Sequence, residues 1–120
     1  MQCYVKLYLG SGGKQGVGPG RIELLRQVRA LGSLRKAAAS LNISYRWAWG
    51  HINEAEAELG CTLLTRIEGG KSGRPLTVTR EAEELIDWYE AIERSLNKTL
   101  TAETRDKPAF LTRTDAAPAP

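Results

Sequence analysis

Histidine, methionine and phenylalanine occur once each in this chain of 120 residues, and cysteine only twice. That scarcity excludes several chemistries. Cys3 and Cys61 lie far apart and outside any paired motif, which suits a reducing compartment better than a disulfide scaffold. With His51 the sole histidine, no Cys/His/Asp group has metal-ligand spacing, so neither a metal nor a cofactor is expected. Nothing pairs a nucleophile with a base or sets two carboxylates in a pocket, so no catalytic residue and no enzyme are expected. The start, MQCYVKLYLG, lacks the basic opening and long apolar run of a signal peptide. No window approaches the ~20 apolar residues of a membrane span. A cytoplasmic chain without a membrane partner is the resulting expectation.

What is present is a modest core and an uneven charge. At 42% hydrophobic residues the chain can form one ordinary domain. Residues 1–80 carry 12 Lys and Arg against 5 acids, whereas residues 81–120 carry 5 against 9. A basic half points to a polyanionic partner, the bland alternative being a solvated surface.

Residues 3–9, CYVKLYL, alternate as a strand with Cys3, Val5, Leu7 and Leu9 on one face. A lone strand needs a partner, and the best one is a hairpin expected at 63–79. Residues 10–20, GSGGKQGVGPG, match neither glycine-rich phosphate motif and read as a flexible connector. Pro19 then suits the first turn of a helix reaching about Ala30, capped by Gly18 and stopped by Gly32. Ile22, Leu25 and Val28 form its stripe, which Leu24 and Leu31 widen.

Ser33 caps a helix over 34–41 whose Ala37 and Ala38 permit close approach of a neighbour. Asn42 suits a left-handed turn, and Ser44 caps a third helix. Its inward stripe is Ala48, Ile52, Ala55 and Leu59, leaving Arg46, Trp49, Gly50, Asn53 and Ala57 outward. Trp47, placed near the inward stripe, is expected in the core; Trp49 is assigned to the free face, with burial as its alternative. The helix is basic and aromatic at its start and acidic at its end, through Glu54, Glu56 and Glu58. Two helices around a tight turn, the second with such a start, read as a helix-turn-helix that enters DNA by its N-terminal end. Residues 62–67 and 76–79 flank EGGKSGRP and read as a hairpin with a basic tip, a wing.

The expected fold is mainly α with a small β-hairpin, a winged helix-turn-helix over residues 1–100. Side-chain chemistry assigns DNA contacts to Ser33, Arg35, Lys36, Ser44, Tyr45, Arg46, Trp49 and Asn53, with Lys71 and Arg74 on the wing. Cys61 is open to two readings, a redox-sensitive thiol or a small core residue. Thr79 caps a last helix, about 80–98, where Ala82, Leu85, Tyr89, Ile92 and Leu96 recur at heptad-like spacing. Leu85, Tyr89, Ile92 and Leu96 are therefore expected at a homodimer interface, with packing on the chain's own domain as the alternative. Residues 101–120, ending in APAP, are expected to be disordered.

These residues resemble a known family. Arg21-Ile22 with Leu24-Leu25, Gly32-Ser33 with Ala37-Ala38, Ile43-Ser44-Tyr45-Arg46 with Ala48-Trp49 and Ile52-Asn53, and Gly69-Gly70-Lys71 with Gly73 carry the resemblance. The run from Gly18 to Leu96 looks like the N-terminal winged-helix domain of the ModE-type molybdate-responsive regulators, which are similar here to LysR-type DNA-binding domains. The resemblance implies a homodimer on a palindromic operator, regulating genes of molybdenum uptake or use. Gly50 stands where the family often has an acid, and Ala82 where a glycine is usual. The oxyanion-binding module of full-length members is not found in the sequence. A separate sensor or effector protein is expected to supply any signal. The alternative function is a protein-interaction adaptor on a winged-helix scaffold.

Overall fold

A computed structural model describes residues 2–10, 16–67 and 75–112. The order is α1 (Pro19–Leu31), α2 (Leu34–Ser40), α3 (Tyr45–Leu59), β1 (Leu64–Arg66), β2 (Leu76–Val78), α4 (Arg80–Glu103) and α5 (Ala109–Thr112). Local signals place each boundary of the helix-turn-helix. Pro19 opens α1, and Gly32 closes it at φ 69°, in the left-handed region. The Ser33 hydroxyl accepts from the Lys36 amide and the Ser44 hydroxyl from the Trp47 amide, so each satisfies a free helix-start donor. Asn42 turns between α2 and α3 at φ 57°.

The core joins Ile22, Leu24, Leu25 and Val28 of α1 with Leu34, Ala37 and Ala38 of α2 and Ala48, Ile52 and Ala55 of α3. Leu31, expected to widen the α1 stripe, is exposed instead. The strands pair antiparallel, Leu64 opposite Val78 and Arg66 opposite Leu76. Leu76 also donates its amide to the Gly32 carbonyl at 3.0 Å, which fastens the hairpin to the end of α1. The Thr79 hydroxyl accepts from the Ala82 amide and donates to the Thr62 carbonyl, so one side chain caps α4 and closes the hairpin.

Three expectations change within the described residues. Residues 3–8 form no strand, and among the described residues the segment does not pair with the hairpin strands. Its ladder contact is a single bridge, Leu9 to Val17, with N···O distances of 2.8 and 2.6 Å. The period of two was correctly seen in the sequence, but a strand exists only with a neighbour. Second, Val17 is wholly buried, so the end of the glycine-rich stretch belongs to the core. The Tyr8 ring lies where a side chain on Gly18 would go, with ring atoms 2.2 Å from that position. Gly18 is therefore small for packing, not only permissive as a cap. Third, in the tail expected to be disordered, α4 runs to Glu103 and α5 follows, while residues 113–120 lie outside the described residues.

Helix α4 packs on the body through Ala82, Ile86 and Tyr89, all fully buried. Tyr89, counted in the sequence among the dimer contacts, is spent on its own domain. Its hydroxyl donates to the Leu7 carbonyl at 2.6 Å and so holds the N-terminal segment. Arg26 reaches from α1 to Glu90 and Glu93 at 2.9 and 3.3 Å while also binding Glu23 at 2.9 Å. Burial opposes the Arg26 charge, but Glu23 and Glu90 outweigh that and raise its pKa. Glu23 is held below the usual carboxylate range, chiefly by the Gln27 amide and also by Arg26, against the opposing effect of burial.

Two outcomes follow. Tyr89→Phe should lose about 1 kcal/mol of stability in urea unfolding and weaken amide protection around Leu9, without changing helix content. A carboxylate lowered in the fold stabilises above its unfolded pKa, and this contribution disappears as pH falls through the carboxylate range. Thermal melting from about pH 7 down to about pH 3 should therefore show a smaller acid-induced fall for Glu23→Gln than for the unaltered chain.

Candidate nucleic-acid interface

The free face of α3 lies opposite Ala48, Ile52 and Ala55, which are 1% exposed or less. Arg46, Gly50 and Asn53 run down its middle, all exposed. No atom of another element comes within 4 Å of a side-chain carbon placed on Gly50. The helix backbone is therefore bare between an arginine and an asparagine, and a groove floor can approach it closely.

Each flank of this stripe is built by a different neighbour. On one side Arg35 of α2 lies over the Tyr45 ring, 4.1 Å from its centroid, and Tyr45 meets Trp49 edge-on at 6.3 Å. The cation–π contact orients Arg35 while leaving it exposed. Lys36 is exposed beside it. On the other side Trp47 packs against His51, with centroids 5.5 Å apart. The Arg21 Nε of α1 donates to His51 Nδ1 at 3.4 Å, and its guanidinium also pairs with Glu54.

Of the DNA contacts expected from sequence, Arg35, Tyr45, Arg46 and Asn53 thus share one exposed surface, and Lys36 is exposed next to Arg35 in the chain. Ser33 and Ser44 sit at its edge with their oxygens engaged as caps, each keeping its own hydroxyl hydrogen to donate. Lys71 and Arg74 lie outside the described residues, between the two strands. Among the described residues no carboxylate pairs with Arg35, Lys36 or Arg46, so their charge faces outward.

The two tryptophans exchange the places expected of them. Trp47 is 66% exposed, whereas Trp49 is partly buried against the core. Trp47 neighbours Ala48 in the chain, but the helix turns about 100° per residue. That step puts Trp47 about 110° from the centre of the inward stripe. His51 and Arg21 were likewise not assigned to the site. Their signal was available: Trp47, His51 and Glu54 recur at spacings of 4 and 3 along one flank.

Elsewhere the chemistry is quiet. Gly16, Gly18 and Gly20 border a cleft of about 510 Å³ whose walls are largely Tyr8, Leu24, Leu41 and Ile43. Arg21 and His51 at its edge are already bonded to each other. Burial raises the Cys61 thiol pKa, and Glu81 and Glu56 add to the rise, which disfavours a reactive thiolate. Cys61 packs partly against the core, as the second of its two readings held. Among the described residues no cluster of three His, Cys, Asp or Glu could hold a metal, and no helix is long and apolar enough to cross a membrane.

Comparison with known proteins gives this geometry a family. Residues 20–83 match the model of the bacterial regulatory helix-turn-helix proteins, lysR family. The chain is 34% identical over 79 residues to the transcriptional regulator ModE of Haemophilus influenzae, covering 66% of this chain and 31% of that protein. It is 34% identical over 98 residues to the DNA-binding transcriptional dual regulator ModE of Escherichia coli K12, covering 82% and 37% respectively. It thus spans about a third of the length of these relatives. Among solved structures, the BenM_DBD/catB site 1 DNA complex aligns with a TM-score of 0.53 at 22% identity, covering 72% of this chain and 90% of that one, a likeness of fold. The match spans α1 through the wing to the first turn of α4, and by it the chain belongs to the lysR family of bacterial regulatory helix-turn-helix proteins.

Proposed function

We propose that this chain is the DNA-reading part of a ModE-type transcription regulator that binds a palindromic operator as a homodimer. The observation that carries the reading is the α3 face: Arg46, Gly50 and Asn53 exposed in line, with Arg35 and Lys36 exposed on α2 and, among the described residues, no carboxylate paired with these cations. Arg46 presents a fork suited to guanine O6 and N7 or to phosphate, and Asn53 an amide suited to adenine. Lys71 and Arg74, in the sequence between the two strands, are assigned to backbone contacts by their charge alone. The similarity to ModE proteins supports a role in molybdenum or tungsten metabolism; a cytoplasmic location and a partner or effector that provides the signal belong to the same reading.

The dimer uses the flank of α4 that its own body leaves open. Ala82, Ile86, Tyr89 and Glu93 face the body. Leu85, Trp88, Ile92 and Leu96 recur at 3, 4 and 4 on the adjacent flank, and Trp88 is 50% exposed. The interface of this reading is therefore Leu85, Ile92 and Leu96 with Trp88 in place of Tyr89. Two copies joined there present half-sites about one helical turn apart.

In gel-shift titration against sites selected from random DNA, Arg46→Ala should weaken binding by about ten-fold or more. Lys36→Ala should lower the log–log salt slope by about 1 and weaken all sequences alike. Unchanged affinity for Arg46→Ala would refute the recognition-face assignment. Absence of any DNA binding at low salt would favour the adaptor alternative. Trp88→Glu should shift sedimentation from dimer to monomer while leaving the thermal transition cooperative; a persistent dimer would place the interface elsewhere.

A further inference from the structure

We infer that Trp47 is a specificity-determining residue that reads the 5-methyl group of thymine in the major groove, an inference that rests on the DNA-binding reading above. Trp47 is a large apolar side chain left 66% exposed in the first turn of the recognition helix. An exposed indole there is apolar surface that an incoming base edge would cover, with a gain in free energy. It lies on the flank adjoining Arg46, so the two residues would enter the same groove at neighbouring positions.

The ring is also held in place from behind. It packs against His51 at 5.5 Å, and His51 Nδ1 accepts from Arg21 Nε at 3.4 Å. The Arg21 side chain is only 16% exposed and is itself anchored to Glu54. A chain of contacts from α1 through α3 thus presents the indole to the outside. Such bracing lowers the ordering cost of binding.

The ligand chemistry follows from what major-groove edges offer. Thymine presents one apolar group, its 5-methyl, and apolar side chains are its natural partners. Arg46 and Asn53 supply polar contacts, so an aromatic body beside them adds a kind of discrimination they lack. Arg21 and His51 are positioning residues for it, since neither needs to touch DNA. Stacking of the indole on deoxyribose would instead weaken all sequences equally.

The test removes the methyl group alone. Operator DNA is first selected from random sequence with the unaltered chain, and each thymine of a half-site is then replaced singly by deoxyuridine. At one position the unaltered chain should bind the uracil site about four-fold more weakly, the worth of one buried methyl. Trp47→Ala should bind thymine and uracil there equally while melting as the parent does, since the side chain is exposed. His51→Ala should reduce the discrimination part-way and leave the phosphate-dependent salt slope unchanged. Equal loss for Trp47→Ala on every sequence, or undiminished discrimination between thymine and uracil in that variant, would overturn the inference. If the unaltered chain enriches no sequence and shows no salt-dependent binding, the DNA reading itself falls and takes this with it. Enrichment without a methyl effect at any thymine would sink the Trp47 role alone.

Discussion

Close approach of helices at alanine is the constraint on which this molecule depends. Ala37, Ala38, Ala48 and Ala55 are all fully buried, and they lie where α2 and α3 meet each other and α1. A larger side chain at these positions would separate the helices by the width of its added carbons, at a cost of about 1–3 kcal/mol each. It would also tilt α3, and every side chain proposed to meet DNA takes its direction from that helix. Arg35 over Tyr45 and Arg21 against His51 reach α3 from α2 and α1 only because the axes are this near.

Much of this was legible in the sequence because its causes are local. Ser33, Ser44 and Thr79 each cap the helix their position announces, and Asn42 takes the left-handed turn that follows α2. A serine or threonine oxygen reaches an amide three residues away whatever the rest of the chain does. Ala48, Ile52 and Ala55 were equally readable, since helical period alone decides their side. Residues 3–8 were not, because alternation cannot name a partner strand, and here the segment is held by a tyrosine hydroxyl 82 positions away. Trp47 differs: at about 110° from the centre of the inward stripe it lies on a flank, where helical period alone does not decide burial. A heptad-like spacing likewise marks an apolar flank without saying which part of it the body covers, so only the fold separates Tyr89 from Trp88.

Charge is divided along the recognition helix as well as along the chain. Its start neighbours Arg35, Lys36 and Arg46, and its later turns hold Glu54, Glu56 and Glu58. Two of those acids serve the fold: Glu54 anchors Arg21, and Glu56 accepts the Leu63 amide at 2.7 Å. The acidic end thus fastens α3 to α1 and to the chain entering the wing, while among the described residues no carboxylate pairs with the cations at the basic end.

Gly50 has a mechanical consequence. A glycine in mid-helix lowers helix stability by about 1 kcal/mol relative to alanine. Ser44 and Gly60 secure the two ends of α3, and Arg21 and the core hold its sides. The remaining weakness falls at the centre of the open face, where no side chain stiffens the turn. The least stabilised turn of α3 therefore lies on its open face, between two secured ends, and not against the core.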